Sequence, residues 1–276
     1  MNGYKYFVSW INLKTRYANV DFLKDKESAS VAGSFRRYIT WLKKQKNANV
    51  KRIWSDNGGE YTSKPFQDVC GELGIIHQTT SPYAPEHNGV AERYNWTLQE
   101  GALTLQHDAD LSNKFWVSAI DTMSFVWNWV LHSKIGTTPY EAFWGIKPRI
   151  DWLRTYGSKC WALIPKQVRK KGEYKSTEGI FVGYFKNSRS YKIWIPKTRS
   201  LIKMRNAIFD ESNHIEQITL LRKEDEDDLP ELWMKKDFFI SKSPTKVPLP
   251  EIEWSEEEEL PFKPAEEETR GEEEEV

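Results

Sequence analysis

Residues 52–61 read RIWSDNGGEY, and residues 81–98 read SPYAPEHNGVAERYNWTL. The first follows from a short apolar run, residues 50–54, which reads as a strand that delivers Asp56 at its end. Gly58 and Gly59 come next, where a tight turn calls for residues that tolerate unusual backbone angles. The second stretch opens a helical pattern, with Asn88 and Gly89 as N-cap residues and Glu92 in the first turns. A carboxylate at a strand end and another at a helix start can converge on one divalent metal. Carboxylate oxygens suit a hard cation such as magnesium. Metal pairs about 3.5–4 Å apart stabilise phosphoryl transfer in many nucleases and polymerases. In a chain with 40 acidic residues, two such carboxylates taken alone read equally well as solvated charge.

Upstream, residues 4–11 (YKYFVSWI) are almost continuously apolar and aromatic, as a strand covered on both faces should be. Residues 16–23 read as a second strand. Residues 27–46 place Val31, Phe35, Tyr38, Ile39 and Leu42 on one helical face, with Arg36, Arg37, Lys43 and Lys44 elsewhere. Those bases read as a solvated face rather than a DNA site. Residues 62–73 form a helix with Gly74 as its C-cap, and residues 75–78 a short strand. His77 lies in that strand without metal-ligand company and reads as structural.

Downstream, Ala91, Leu98, Ala102 and Leu105 predict the buried stripe of the Glu92 helix. Glu92, Trp96, Gln99 and Leu103 fall on a neighbouring line. Residues 113–131 are apolar nearly all round, which predicts a helix buried in the core or at a subunit contact. From residue 153 the periodicity shifts, and residues 160–164, 178–184, 191–195 and 201–209 read as short strands. The basic loop 166–175 (KQVRKKGEYK) either touches DNA or is solvated.

The formal net charge of zero conceals a split. Residues 223–276 hold 20 acids against 7 bases, a net of −13, and residues 1–222 hold 33 bases against 20 acids, a net of +13. A basic body suggests a polyanionic partner. The acidic, low-complexity end is expected to be disordered. Only Cys70 and Cys160 occur, so neither a disulfide framework nor a zinc cluster is indicated. No signal peptide or membrane-length apolar run is evident, which reads as an intracellular setting.

The words SDNGGEY and SPYxPxxNGVAER together resemble the integrase core of copia-type retrotransposon polyproteins. That core belongs to the RNase H-like superfamily of retroviral integrases and DDE recombinases. The resemblance continues through TPYEAFWGIKP (138–148), LRTYGSKCWALIP (153–165) and GIFVGYFKNSRSYKIWIPKTRS (179–200), and covers roughly residues 3–211. It implies an α/β fold, an RNase H-like mixed sheet flanked by helices, followed by a small Src-homology-like β-barrel and the acidic tail. The expected division is a catalytic core at 1–135, a connector at 136–152, the barrel at 153–212 and the tail at 213–276.

The same resemblance implies the chemistry: trimming of DNA 3′-ends and strand transfer, with Mg2+ or Mn2+ held by three carboxylates. Asp56 and Glu92 match the second and third of these acids. Asn57, Asn88, Arg93 and Trp96 are the implied nucleic-acid contacts. The implied partners are the element's DNA ends and a target duplex, with a homo-oligomer as the assembly, no membrane, and a nuclear place of action.

The chain also departs from the pattern. The first acid has no match, because its strand should lie just before Gly3; Asp21 and Asp25 are not expected to replace it. Basic residues are usual two and four positions after the catalytic Glu, where this chain has Tyr94 and Trp96, and Glu86 stands where a neutral amide is common. In the family the missing strand sits between residues 4–11 and 50–54. The expectation is therefore either a gap between those strands or their direct pairing, in a fragment that is itself inactive. Whether this chain is an enzyme stays open. The alternative is a non-catalytic relic, or a host-adopted protein that binds nucleic acid or other partners.

Overall fold

The computed structural model describes residues 3–79, 89–164, 174–186 and 189–212. All of them lie in one compact unit, Met1–Pro244. The expected disorder of the acidic tail, the basic loop around residues 166–173 and the loop bearing Asn88 fall outside the described residues.

Strand β1 (Tyr6–Ile11) pairs antiparallel with β2 (Ala18–Leu23), in register Tyr6 with Leu23 and Ile11 with Ala18. Both faces of this pair are covered. Val8 and Trp10 turn toward a core formed with helix α1 (Ser28–Lys46), through Phe35, Ile39 and Leu42. Phe7, Ile11 and Val20 turn toward a second core built by helices α4 (Gly89–Asp108) and α5 (Trp116–Trp127). The continuous apolarity of residues 4–11 therefore marks a strand sandwiched between helices, as expected.

Strand β3 (Arg52–Ser55) pairs in parallel with β4 (Ile76–Thr79). Between them run α2 (Gly59–Thr62) and α3 (Lys64–Leu73), the latter closed by Gly74 in the left-handed conformation. The two strand pairs are separate hydrogen-bonded sheets. Of the two outcomes expected between β1 and β3, direct pairing is not found among the described residues. Among the described residues, β1 and β3 each have one ladder partner only.

After a 3-10 turn at Asn113–Phe115, α5 lies buried between α4 on one side and β2 on the other. It is shorter than the apolar run predicts, ending at Trp127, and Asn128, just past its end, turns to β2. There Asn128 bonds both the N–H and the carbonyl of Ala18, at 2.9 and 2.8 Å. A further short helix, α6 (Pro139–Trp144), stands where only a connector is expected. Thr138 caps it, and Phe143 stacks on Tyr17 at 4.2 Å.

The C-terminal part is a five-stranded sheet in the order β8-β7-β6-β5-β9. The strands are β5 (Lys159–Leu163), β6 (Ser176–Phe185), β7 (Ser190–Ile195), β8 (Ser200–Met204) and β9 (Ala207–Asp210). The single strand predicted at 201–209 is two strands, on opposite edges of the sheet. β6 is bulged between Phe181 and Tyr184. Gly183 sits in that bulge at φ +130°, and a Cβ there would lie 2.5 Å from Thr122 Oγ1 of α5. The glycine thus lets sheet and helix backbones approach closely.

Candidate functional site

Asp56 follows β3 directly and is half-buried. Its Oδ1 accepts the Gly58 N–H at 3.1 Å, so the side chain organises the turn that follows it. Gly58 is needed for space rather than angle. Its φ is −56°, and neither it nor Gly59 adopts the left-handed conformation expected of the pair. A Cβ on Gly58 would meet Glu60 Oε2 at 2.9 Å and Asp56 Oδ1 at 3.0 Å. Two carboxylates therefore crowd one side of this glycine. Glu60 was not among the residues singled out from the sequence, although its place in SDNGGEY was in plain view.

A line of hydrogen bonds supports Asp56 from below. The Ser55 hydroxyl donates to the Asp56 carbonyl at 2.8 Å, and the same Oγ lies 2.8 Å from His77 Nε2. His77 Nδ1 lies 2.7 Å from Gln67 Nε2, which also donates to the Tyr61 carbonyl at 3.2 Å. The His77 ring meets Phe66 edge-on, and burial pulls its pKa below the ordinary histidine value. Burial, then the charges of Asp56 and Glu60, push the Tyr61 phenol upward, so it stays neutral.

Glu92 lies in the first turn of α4 and is exposed. A carboxylate there is favoured by the positive end of the helix dipole. Ser9 of β1 donates to Asn95 Oδ1 at 2.7 Å and ties the first turns of α4 to the sheet. On the line predicted for Glu92, Trp96, Gln99 and Leu103, Trp96 is 55% exposed and Leu103 52%, Glu92 is exposed and Gln99 is half-buried. Arg93 and Asn57 are exposed as well.

The buried stripe of α4 differs from the expected one. It is centred on Tyr94, Leu98, Ala102 and Gln106, with Ala91 and Leu105 only half-buried. Tyr94 is fully buried. It donates to Ser124 Oγ at 3.0 Å and meets Trp127 edge-on. It therefore fills the core, at a position that the sequence reading left out of the buried stripe. Tyr94 is polar at one end only, and that end finds its partner on α5.

Among the described residues, no group of three or more His, Cys, Asp or Glu side chains could hold a metal ion. The carboxylate oxygens of Asp56 and Glu92 are the right donor type for magnesium. The two cysteines are buried and free, with Cys160 pushed up to about 12 by burial, so neither thiol is a ready ligand or nucleophile. The bases of α1 resolve as surface charge: Arg36 pairs with Glu72 at 2.6 Å and Arg37 with Asp21 at 2.5 Å. No helix among the described residues is long and apolar enough to cross a membrane.

Residues 1–85 match the integrase core domain family, and residues 158–222 match the retroviral polymerase SH3-like domain family. The chain is 35% identical over 213 residues to the retrovirus-related Pol polyprotein from transposon TNT 1-94 of Nicotiana tabacum, covering 77% of this chain and 16% of that protein. It is 28% identical over 212 residues to the corresponding polyprotein from transposon RE1 of Arabidopsis thaliana, covering 76% of this chain and 14% of that one. The chain thus spans about a sixth of the length of the curated relatives it matches. Among solved structures it is similar to the HTLV-2 integrase catalytic core domain in complex with magnesium, at 22% identity and a TM-score of 0.41, over 52% of this chain and 88% of that one.

Proposed function

This chain carries an integrase core domain and a retroviral polymerase SH3-like domain of the kind found in retrotransposon Pol polyproteins, and on that premise we propose that it serves DNA integration. The reaction class is metal-assisted polynucleotidyl transfer within a longer polyprotein, acting in the nucleus on the element's DNA ends and a target duplex, as a homo-oligomer. Residues 1–135 supply the catalytic part and 153–212 the SH3-like part, with 136–152 connecting them.

The observation that carries the reading is the placement of two acids. Asp56 is fixed at the end of β3 by its turn, and Glu92 stands exposed at the start of a helix tied to β1. Both would offer oxygen ligands to Mg2+ or Mn2+. When bound, the metal would polarise phosphate oxygens and stabilise charge on the attacking and leaving oxygens. The remaining work falls to the chain's own residues. Arg93 is exposed and would meet a phosphate in this reading, and the exposed Trp96 would offer a face on which a base can stack. Asn57 and Asn88 are the further nucleic-acid contacts in this reading.

Two matched acids hold fewer ligands than a two-metal transfer uses, so the isolated 276-residue chain is proposed to be inactive in strand transfer. Titration calorimetry with MnCl2 tests the metal assignment. Weak binding that Asp56→Asn or Glu92→Gln removes is the expected result. Binding unchanged in both variants rejects the site.

A further inference from the structure

The hydrogen-bonded line beneath Asp56 has only one consistent arrangement of protons. The Ser55 hydroxyl has a single hydrogen, and it goes to the Asp56 carbonyl, which can only accept. Toward His77 the Ser55 oxygen must then accept, so His77 carries its proton on Nε2. The Nδ1 atom is left as an acceptor, and the Gln67 amide donates to it. The second hydrogen of that amide goes to the Tyr61 carbonyl. Every side-chain hydrogen between the Tyr61 and Asp56 carbonyls is thereby used once, in one direction. The lowered pKa of His77 agrees with a neutral ring.

This line joins four elements. It starts on α2 at Tyr61, passes through Gln67 of α3 and His77 of β4, crosses to Ser55 of β3, and ends on the peptide that carries the Asp56 side chain. It also matters where it lies. β3 has four residues and one ladder partner among the described residues, so backbone pairing alone holds Asp56 weakly. From this geometry we infer that His77 is a positioning residue, which through Ser55 fixes the Asp56 peptide and so aims its carboxylate.

The inference deepens the metal reading of Asp56 and rests on it for its functional meaning. Its physical core can be tested without metal. In the metal-free full chain, the 13C chemical shift of the Asp56 carbonyl reports the hydrogen bond from Ser55. His77→Ala and Ser55→Ala should both move it, and Gln67→Ala, at an exposed helix position, should move it in the same direction. His77→Gln should restore it, because a carboxamide can accept from Gln67 and donate to Ser55 at once.

The second readout is Mn2+ affinity. His77→Ala and Ser55→Ala should each weaken it about tenfold, as loss of an outer partner typically does. The double variant should be no weaker than either single one, since both cut the same line. An Asp56 carbonyl shift that ignores His77→Ala and Gln67→Ala overturns the inference, whatever the metal does. A shift that moves as expected, with Mn2+ binding indifferent to Asp56→Asn, upholds the positioning and rejects the metal reading instead. Should His77→Ala fail to fold, Gln67→Ala and His77→Gln carry the same decision.

Discussion

The two halves of this molecule hold their strands together by different means. In the C-terminal half, the five strands among the described residues form one antiparallel sheet, and every interior strand has a ladder on both sides. In the N-terminal half, the four strands among the described residues form two separate pairs, and helices pack over them. The candidate site lies in the half with fewer ladders. Its geometry therefore depends on side chains: the Asp56 turn, the Ser55–His77–Gln67 line and the Ser9–Asn95 tie. Backbone ladders resist distortion cooperatively. Side-chain lines can be cut one residue at a time, which makes the site half the more sensitive to point substitution.

The largest expected effect lies where the two halves join. Asp121 of α5 is buried and meets Lys186 at 2.8 Å and Lys192 at 2.5 Å. Asp121→Asn would leave two ammonium groups short of their counter-charge, at a cost of about 3–5 kcal/mol for such a buried pair. The lower end is expected, because Lys186 keeps 32% of its side chain exposed and can turn to water. Urea unfolding checks this, and an unchanged midpoint would mean that the halves do not depend on this joint. The same group sets an acid limit. Burial raises the pKa of Asp121, but the two lysines outweigh it and hold the carboxyl below its ordinary value. A depressed folded-state pKa stabilises above the unfolded value near ~3.9 and loses that stability as pH falls through the folded one. The wild type should therefore lose stability more steeply below about pH 4 than Asp121→Asn does.

A smaller effect separates the halves directly. Amide exchange at β3 and β4 should proceed through openings about 1–2 kcal/mol cheaper than those that expose β6 and β7, because interior ladder amides open only with the whole sheet. Equal protection in the two halves would show that helix packing secures the split sheet as firmly as ladders secure the other one.

The smallest expected effect concerns charge. Residues 1–222 carry +13 and residues 223–276 carry −13, so the acidic segment should compete with duplex DNA for the basic body. Removing residues 223–276 should tighten nonspecific binding severalfold at low salt, and the gain should shrink as salt is added. Equal affinities at low salt would exclude that competition.

The sequence was most legible where one physical rule dominated. The continuous apolar run of β1 and the Gly74 cap of α3 read correctly because burial and backbone angle each left one choice. The split between β8 and β9 was hidden, since a turn of two residues inside residues 201–209 barely interrupts the alternation. Tyr94 was misread because α4 has a low contrast between its faces, and its deepest residue carries a polar atom satisfied only by Ser124, far away in sequence. At the site, Asp56 and Glu92 were visible as residue types in a motif. The crowding of Gly58 by Asp56 and Glu60 is local but depends on rotamers that residue types alone do not give, and the role of His77 depends on its approach to Ser55 of another strand.

The most direct test of the central claim, that Asp56 and Glu92 serve one divalent metal, is paramagnetic broadening by Mn2+ in the nuclear magnetic resonance spectrum of the full chain. Substoichiometric Mn2+ should bleach the amide signals of Asp56 to Gly58 and of Glu92 together, at the same concentration, and Asp56→Asn should protect both sets. Bleaching of one set without the other, or signals at both that survive excess Mn2+, would contradict a shared site.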